Sequence, residues 1–244
     1  MRRSAGPASL AAEAYAFVKQ RILRGDLSMG QVISRRKVAA ELGMSFLPVS
    51  EALLRLEFEG LLESRPRAGT RVRIPSREDV RGHYIVREAL EAQAAVLFAL
   101  VATDQDRTEL RKLAEEVDAV SASDQPLYIL IHERFHRRIA EGAHCDALSL
   151  AIEKTHALSS TWCCVGQPYS DDQPPRRHQE LVDVLIAGDT GKAAEAMREH
   201  INHGMISALK RLKPYFRIRK AYGKTFFRSE RRQPQQILTP SSLN

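Results

Sequence analysis

One short interval constrains this chain more than any other: Leu42-Gly43-Met44-Ser45, set between two stretches of helical pattern. Before it, Ser34 is a good N-cap, and Val38, Ala39 and Leu42 follow helical spacing until Gly43 supplies the stop. After it, Ser45 is again an N-cap and Pro48 falls in the first turn, with Val49, Ala52, Leu53, Leu56 and Phe58 inside the helix. Two helices joined by a short link containing glycine make a helix-turn-helix. An earlier helix is expected from Leu10 to Leu27, carrying Ala14, Phe17, Val18, Ile22 and Leu23, with Gly25-Asp26 as its stop. Beyond Gly60 come two β-prone runs, Leu61 to Ser64 and Thr70 to Ile74. Their connector, Arg65-Pro66-Arg67-Ala68-Gly69, suits a hairpin with a basic tip. The order predicts a winged helix. Arg35, Arg36, Lys37, Arg65, Arg67, Arg71 and Arg73 cluster on the elements that would meet a duplex, where cations gain affinity by releasing phosphate counterions. The plainer alternative is a small helical domain with an ordinary solvated charge pattern.

Charge divides the 244 residues into three blocks. Residues 1–76 hold 13 Lys/Arg against 7 Asp/Glu, residues 77–208 hold 14 against 22, and residues 209–244 hold 10 against 1. The overall +7 is therefore a basic head, an acidic body and a basic tail. All eight histidines and all three cysteines lie in the body. No apolar run approaches the ~18–20 residues of a membrane span, and Met1-Arg2-Arg3-Ser4-Ala5-Gly6-Pro7 lacks the apolar stretch of a secretory signal. Cys163 and Cys164 are adjacent without metal-type spacing, and three cysteines make no disulfide framework. A reduced, cytoplasmic setting is expected.

The body shows only helical patterning, in about six segments, with caps at Ser76, Thr103-Asp104, Ser123-Asp124 and Asp189-Thr190. Residues 167–175 have loop composition. The fold class expected is mainly α: an N-terminal winged helix-turn-helix (1–76), an all-helical bundle (77–212) and a basic, flexible tail (213–244). Within the bundle, His132 and His136 stand at i and i+4 on one helix face. With Glu133 they spell HExxH, the zinc-hydrolase pattern in which the histidines bind metal and the glutamate is general base. A solvated helix face explains Glu133 equally well, and a polar core network without metal accounts for the histidines.

The stretch from Tyr15 to Pro75 resembles the GntR family of bacterial winged-helix regulators, above all at Val38-Ala39-Ala40-Glu41-Leu42-Gly43-Met44-Ser45, Pro48-Val49, Glu51-Ala52-Leu53 and Glu59-Gly60-Leu61. The resemblance implies DNA contacts from Arg35, Arg36, Ser45, Phe46, Leu47, Pro48, Ser50, Arg67 and Gly69. The family's recognition helix usually begins Ser-Arg-Thr-Pro-Val-Arg, whereas this chain has Ser45-Phe46-Leu47-Pro48-Val49-Ser50. Both usual arginines are replaced, so DNA binding is expected to persist with a changed operator. Phe46 and Leu47 suit a thymine methyl, and Ser50 a phosphate or base.

The body resembles the FCD effector domain of the FadR subgroup, at Tyr84-Ile85-Val86-Arg87-Glu88-Ala89-Leu90-Glu91, Phe135-His136, and His178 through Gly188-Asp189 to His200. Many FCD domains hold a metal with one aspartate and three histidines. That implies ligation by His136, His178 and His200, with His132 in the aspartate's place. Four histidines suit a divalent ion such as zinc or nickel. The resemblance further implies a small organic acid as effector and Arg87 as its carboxylate partner, although Arg87 is equally placed to pair with Glu91. As a whole it implies a homodimeric transcription regulator on a pseudo-palindromic operator, more often repressor than activator, and not an enzyme or a membrane protein.

Overall fold

A computed structural model describes residues 9–65, 69–120, 125–165 and 176–219. Helix α1 (Leu10–Leu23) opens behind Ser9, whose side chain accepts from Ala12 N–H. Helix α2 (Arg35–Leu42) is capped by the Ser34 hydroxyl on Lys37 N–H and closes at Gly43, whose φ of 62° is the left-handed conformation that glycine adopts without steric cost. Helix α3 (Phe46–Phe58) follows at once. Strands β2 (Leu62–Arg65) and β3 (Gly69–Val72) form the expected antiparallel hairpin, with Glu63 opposite Arg71 and Arg65 opposite Gly69.

A third strand, β1 (Val32–Ile33), is one that sequence patterning did not reveal. It pairs with β3 through Val32 opposite Arg71 and Ile33 opposite Thr70, giving the order β1-β3-β2. Two residues carry too little alternation to register as a strand; the pairing comes from the neighbouring edge. Val18 and Ile22 of α1, Val49, Leu53 and Leu56 of α3, and Leu61, Leu62 and Val72 of the sheet share one buried core.

Six helices follow among the described residues: α4 (Arg77–Val101), α5 (Asp104–Ala119), α6 (Gln125–Gly142), α7 (Asp146–Val165), α8 (Arg177–Ile186) and α9 (Thr190–Arg211). Capping boxes at Ser76/Asp79 and Thr103/Asp106 start α4 and α5, and Asp189 caps α9, as the sequence predicts. The proposed cap at Ser123-Asp124 and the loop at 167–175 lie outside the described residues. Helices α4 and α9 pack extensively together. Phe98, Leu110, Phe135, Ile139, Ile152, Leu185 and Met197 fill the core that the bundle encloses.

The helical body does not end at Leu212. Residues 213–219 are also helical, and Phe216 is buried in the bundle core, beneath the Arg77 guanidinium at 5.1 Å. The expected tail from 213 is corrected for this stretch; residues 220–244 lie outside the described residues. The basic composition that suggested a tail does not prevent this short helix, and Pro214 in its first turn has a missing N–H that costs nothing there. This turn carries Arg219 back to the joint between head and body. There its Nη1 donates to the Ile74 carbonyl at 2.6 Å and to Asp79 Oδ2 at 3.0 Å, while Arg73 reaches Asp79 Oδ1 at 3.0 Å. Leu158 of α7 packs against both cores.

Candidate functional site

Helix α6 presents His132 and His136 one turn apart, α9 presents His200, and α8 presents His178. His136 Nε2 lies 3.3 Å from His132 Nε2 and 3.3 Å from His200 Nε2. The ring of His178 faces this trio, its centroid 5.1 Å from those of His132 and His200. Behind the rings stand two carboxylates. His136 Nδ1 is 2.5 Å from Glu91 Oε2, and His178 Nδ1 is 2.5 Å from Asp118 Oδ1. An Nδ1–H directed at a carboxylate leaves the Nε2 lone pair for the opposite side, the arrangement that orients metal-binding histidines. Asp118 is itself held by the backbone N–H groups of His178 and Gln179 at 3.2 and 3.0 Å.

These residues fit a cation. The buried His178 Nε2 has no hydrogen-bond partner among the described residues, an orphan that costs free energy unless something occupies the space before it. Burial depresses the basicity of all four rings: His136 falls to about 4, His178 is lowered, and His132 and His200 lie well below the ordinary histidine value. All four are therefore neutral at physiological pH, the form that ligates metal. His132, His136 and His200 offer nitrogens within 4.8 Å of one another. Glu91, His136 and His156 form a second such group, with His156 Nε2 3.2 Å from Glu91 Oε1.

His132, His136, His156 and His200 line a cavity of about 50 Å³, room for a few waters or a small ligand. Tyr84, Arg87, Tyr128, Glu133, Arg177 and Arg211 line it too. Arg87 pairs with Glu91, one of the two partners expected for it, and lies at the cavity. Its Nε bonds Glu91 Oε1 at 2.7 Å, its guanidinium lies 5.1 Å from the Tyr84 ring centroid, and it still borders the cavity. Burial alone would raise the Glu91 pKa, but Arg87, His136 and His156 outweigh it and keep the carboxylate ionised. Arg177 donates to the His200 carbonyl at 2.8 Å. Sequence reading missed Asp118, Arg177, Arg211 and the central role of Glu91. Arg177 carried a faint signal, as the neighbour of His178; Asp118 lies 60 residues from its histidine and carried none.

On the head, Arg35, Arg36 and Ser45 are exposed, as are Phe46, Leu47 and Gly69, while Pro48 and Ser50 are half-buried. Ser45 occupies the N-cap position of α3 but makes no side-chain cap hydrogen bond. Arg67 lies outside the described residues. Three other cations of the expected cluster are engaged within the protein: Arg65 and Arg71 lie 3.3 and 3.5 Å from Glu63, and Arg73 is turned to Asp79 at the joint. No helix among the described residues is long and apolar enough to cross a membrane.

Comparison with known proteins agrees with this architecture. Residues 10–72 match the family described as bacterial regulatory proteins, gntR family, and residues 83–203 match the FCD domain. The chain is 30% identical over 205 residues to a protein of Paenarthrobacter nicotinovorans named a probable D-xylose utilization operon transcriptional repressor, covering 79% of this chain and 86% of that one. It is 26% identical over 192 residues to the HTH-type transcriptional repressor RspR of Escherichia coli K12, covering 74% and 83%. The crystal structure of a GntR transcriptional regulator from Rhodococcus sp. RHA1 superposes with a TM-score of 0.69 at 22% identity, over 83% of this chain and 99% of that one, which shows the shared fold. Such proteins are DNA-binding regulators and not enzymes, so the HExxH spacing is not a hydrolase site here. The chain belongs to the GntR family, as a DNA-binding transcription regulator whose winged helix is followed by an effector-binding FCD domain.

Proposed function

We propose that this protein is a homodimeric repressor whose hold on a pseudo-palindromic operator is set by a small organic acid bound beside a divalent metal, zinc or nickel. One observation carries the reading: three neutral imidazole nitrogens converge in a buried cavity, and the orphaned Nε2 of His178 is on the ring that faces them. His132, His136, His178 and His200 would hold the ion, with Glu91 and Asp118 orienting two of the rings. The bound ion supplies Lewis acidity toward a carboxylate oxygen.

The chain's own groups explain the preference for an acid. Arg87, Arg177 and Arg211 border the same cavity, and Glu133 is also among its lining residues. Arg87, oriented by Glu91 and bordering the cavity, is placed to meet a carboxylate there. Replacing the family's aspartate with His132 removes one negative charge and further favours an anion. A ligand bridging α4, α6 and α9 biases the joint, because the first turn of α4 carries Asp79, where Arg73 of the head and Arg219 of the C-terminal helix meet. Repression is supported by the names of the relatives. Dimerisation is supported by α4, which leaves Ile85, Val86, Leu100 and Val101 exposed along its length.

The test is a footprint on the DNA upstream of the protein's own coding region, titrated with a panel of small carboxylates. Metal-loaded protein is expected to lose operator affinity with at least one acid, and chelator-treated protein to lose that response. A response unchanged by metal removal, or none to any acid, contradicts the reading.

A further inference from the structure

The first two turns of the exposed face of α3, from Phe46 to Leu53, carry no cation. The helix's single arginine, Arg55, stacks on the Tyr15 ring at 4.0 Å and bonds Glu59 Oε1 at 3.1 Å, which ties it to α1 and to the C-terminal end of its own helix. The solvent-facing strip is apolar instead: Phe46 is 58% exposed, Leu47 68%, and Leu54, two turns beyond Leu47, 67%. Between them lie the Ser50 hydroxyl and the exposed Glu51 carboxylate. Beside the strip, Arg35, Arg36 and Lys37 are exposed in the first turn of α2, where the helix dipole is also positive.

An apolar strip bordered by phosphate-binding charge complements one surface of DNA in particular. In the major groove the apolar feature is the thymine 5-methyl group, while guanine presents only the acceptors O6 and N7. Guanine is read best by a cationic fork, and the strip from Phe46 to Leu54 has none. Glu51 accepts only, so it suits the amino group of adenine or cytosine and disfavours guanine.

We propose that Phe46 and Leu47, with Leu54 behind them, select the operator through thymine methyl groups, so that the base pairs under this strip are A·T and no side chain of α3 contacts guanine. Affinity comes from Arg35, Arg36 and Lys37 on the phosphates, and discrimination comes from the apolar strip.

The full-length protein is used to select duplexes from a randomised library at fixed salt, and the recovered sequence is rebuilt with deoxyuridine in place of thymidine. Each contacted methyl that is removed is expected to weaken binding about fourfold. The double variant Phe46→Ala, Leu47→Ala is expected to bind thymine and uracil duplexes equally. Both side chains are exposed, so this variant should keep the wild-type melting temperature. Phe46→Arg, which restores a fork, is expected to recover half-sites containing guanine. Equal affinity of the wild-type protein for thymine and uracil duplexes overturns the proposal and leaves DNA binding standing, as does a wild-type half-site built on guanine. Recovery of no sequence at all overturns both.

Discussion

A β-carbon on Gly142 would stand 2.6 Å from the fully buried ring of Phe98. Neither side can yield: the glycine lies in the last turn of α6, and the ring is fixed in the bundle core. Gly142→Ala should therefore destabilise the protein by about 1–3 kcal/mol through overpacking, read as a lowered denaturant midpoint with unchanged slope. An unchanged midpoint would mean the ring has room to move. His83 gives a pH signature at the same scale. Burial, reinforced by the Arg87 charge, lowers its pKa from 6.5 to about 4, and its Nε2 lies 2.8 Å from Ser159 Oγ. The unfolded chain then binds the extra proton between pH 6.5 and 4. The stability His83 contributes is complete above 6.5 and is lost as pH falls toward 4. His83→Gln should flatten the decline of melting temperature over that window, and an equally steep decline would remove His83 as its source. Much of the candidate site was legible at this scale. His132 and His136 share a face by i,i+4 spacing, and His178 and His200 came from resemblance. Glu91 and Asp118 were not, because a carboxylate that orients a ring from another helix leaves no local pattern.

Among the elements, helix-turn-helix and hairpin were readable because each boundary has its own chemistry: Ser34 and Gly43 around α2, Pro48 inside α3, Gly69 at the turn. The two-residue β1 and the turn at 213–219 were not, since both exist through what they pack against. That turn matters for the joint. Asp79 completes the Ser76 capping box while receiving Arg73 and Arg219, and these partners hold its carboxyl below the usual range despite partial burial. Asp79→Ala keeps the Ser76 hydroxyl on the residue-79 N–H and is expected to cost about 0.5–1.5 kcal/mol from the lost carboxylate half of the cap alone. It should also speed proteolysis between Arg73 and Arg77, because Arg73 and Arg219 lose the carboxylate they share. Arg219→Ala should reproduce the second effect without the loss of the cap. Cleavage at the wild-type rate in both variants would show that the joint is held by Leu158 and the apolar contacts alone.

At the scale of the whole molecule, the three charge blocks have acquired different meanings. The basic head keeps exposed cations, Arg35 and Arg36 among them, at the N-terminus of α2, whereas Arg71 and Arg73 are folded into the protein. Arg36→Ala is expected to weaken binding to all duplexes alike and to reduce the salt slope by about one unit per head. A loss confined to one sequence would instead make Arg36 a base reader. The proposed dimer predicts that Ile85→Glu with Val86→Glu sediments as a monomer and loses cooperative operator binding; a persistent dimer would place the interface elsewhere. The acidic body surrounds its histidines with carboxylates that tune rings rather than catalyse, and the central claim rests there. Elemental analysis of the purified full-length protein, beside a His136→Ala, His178→Ala variant of wild-type helicity, tests it most directly. The account predicts about one transition-metal ion per chain in the wild type and none in the variant. A metal-free wild type, or equal metal in both, would contradict it.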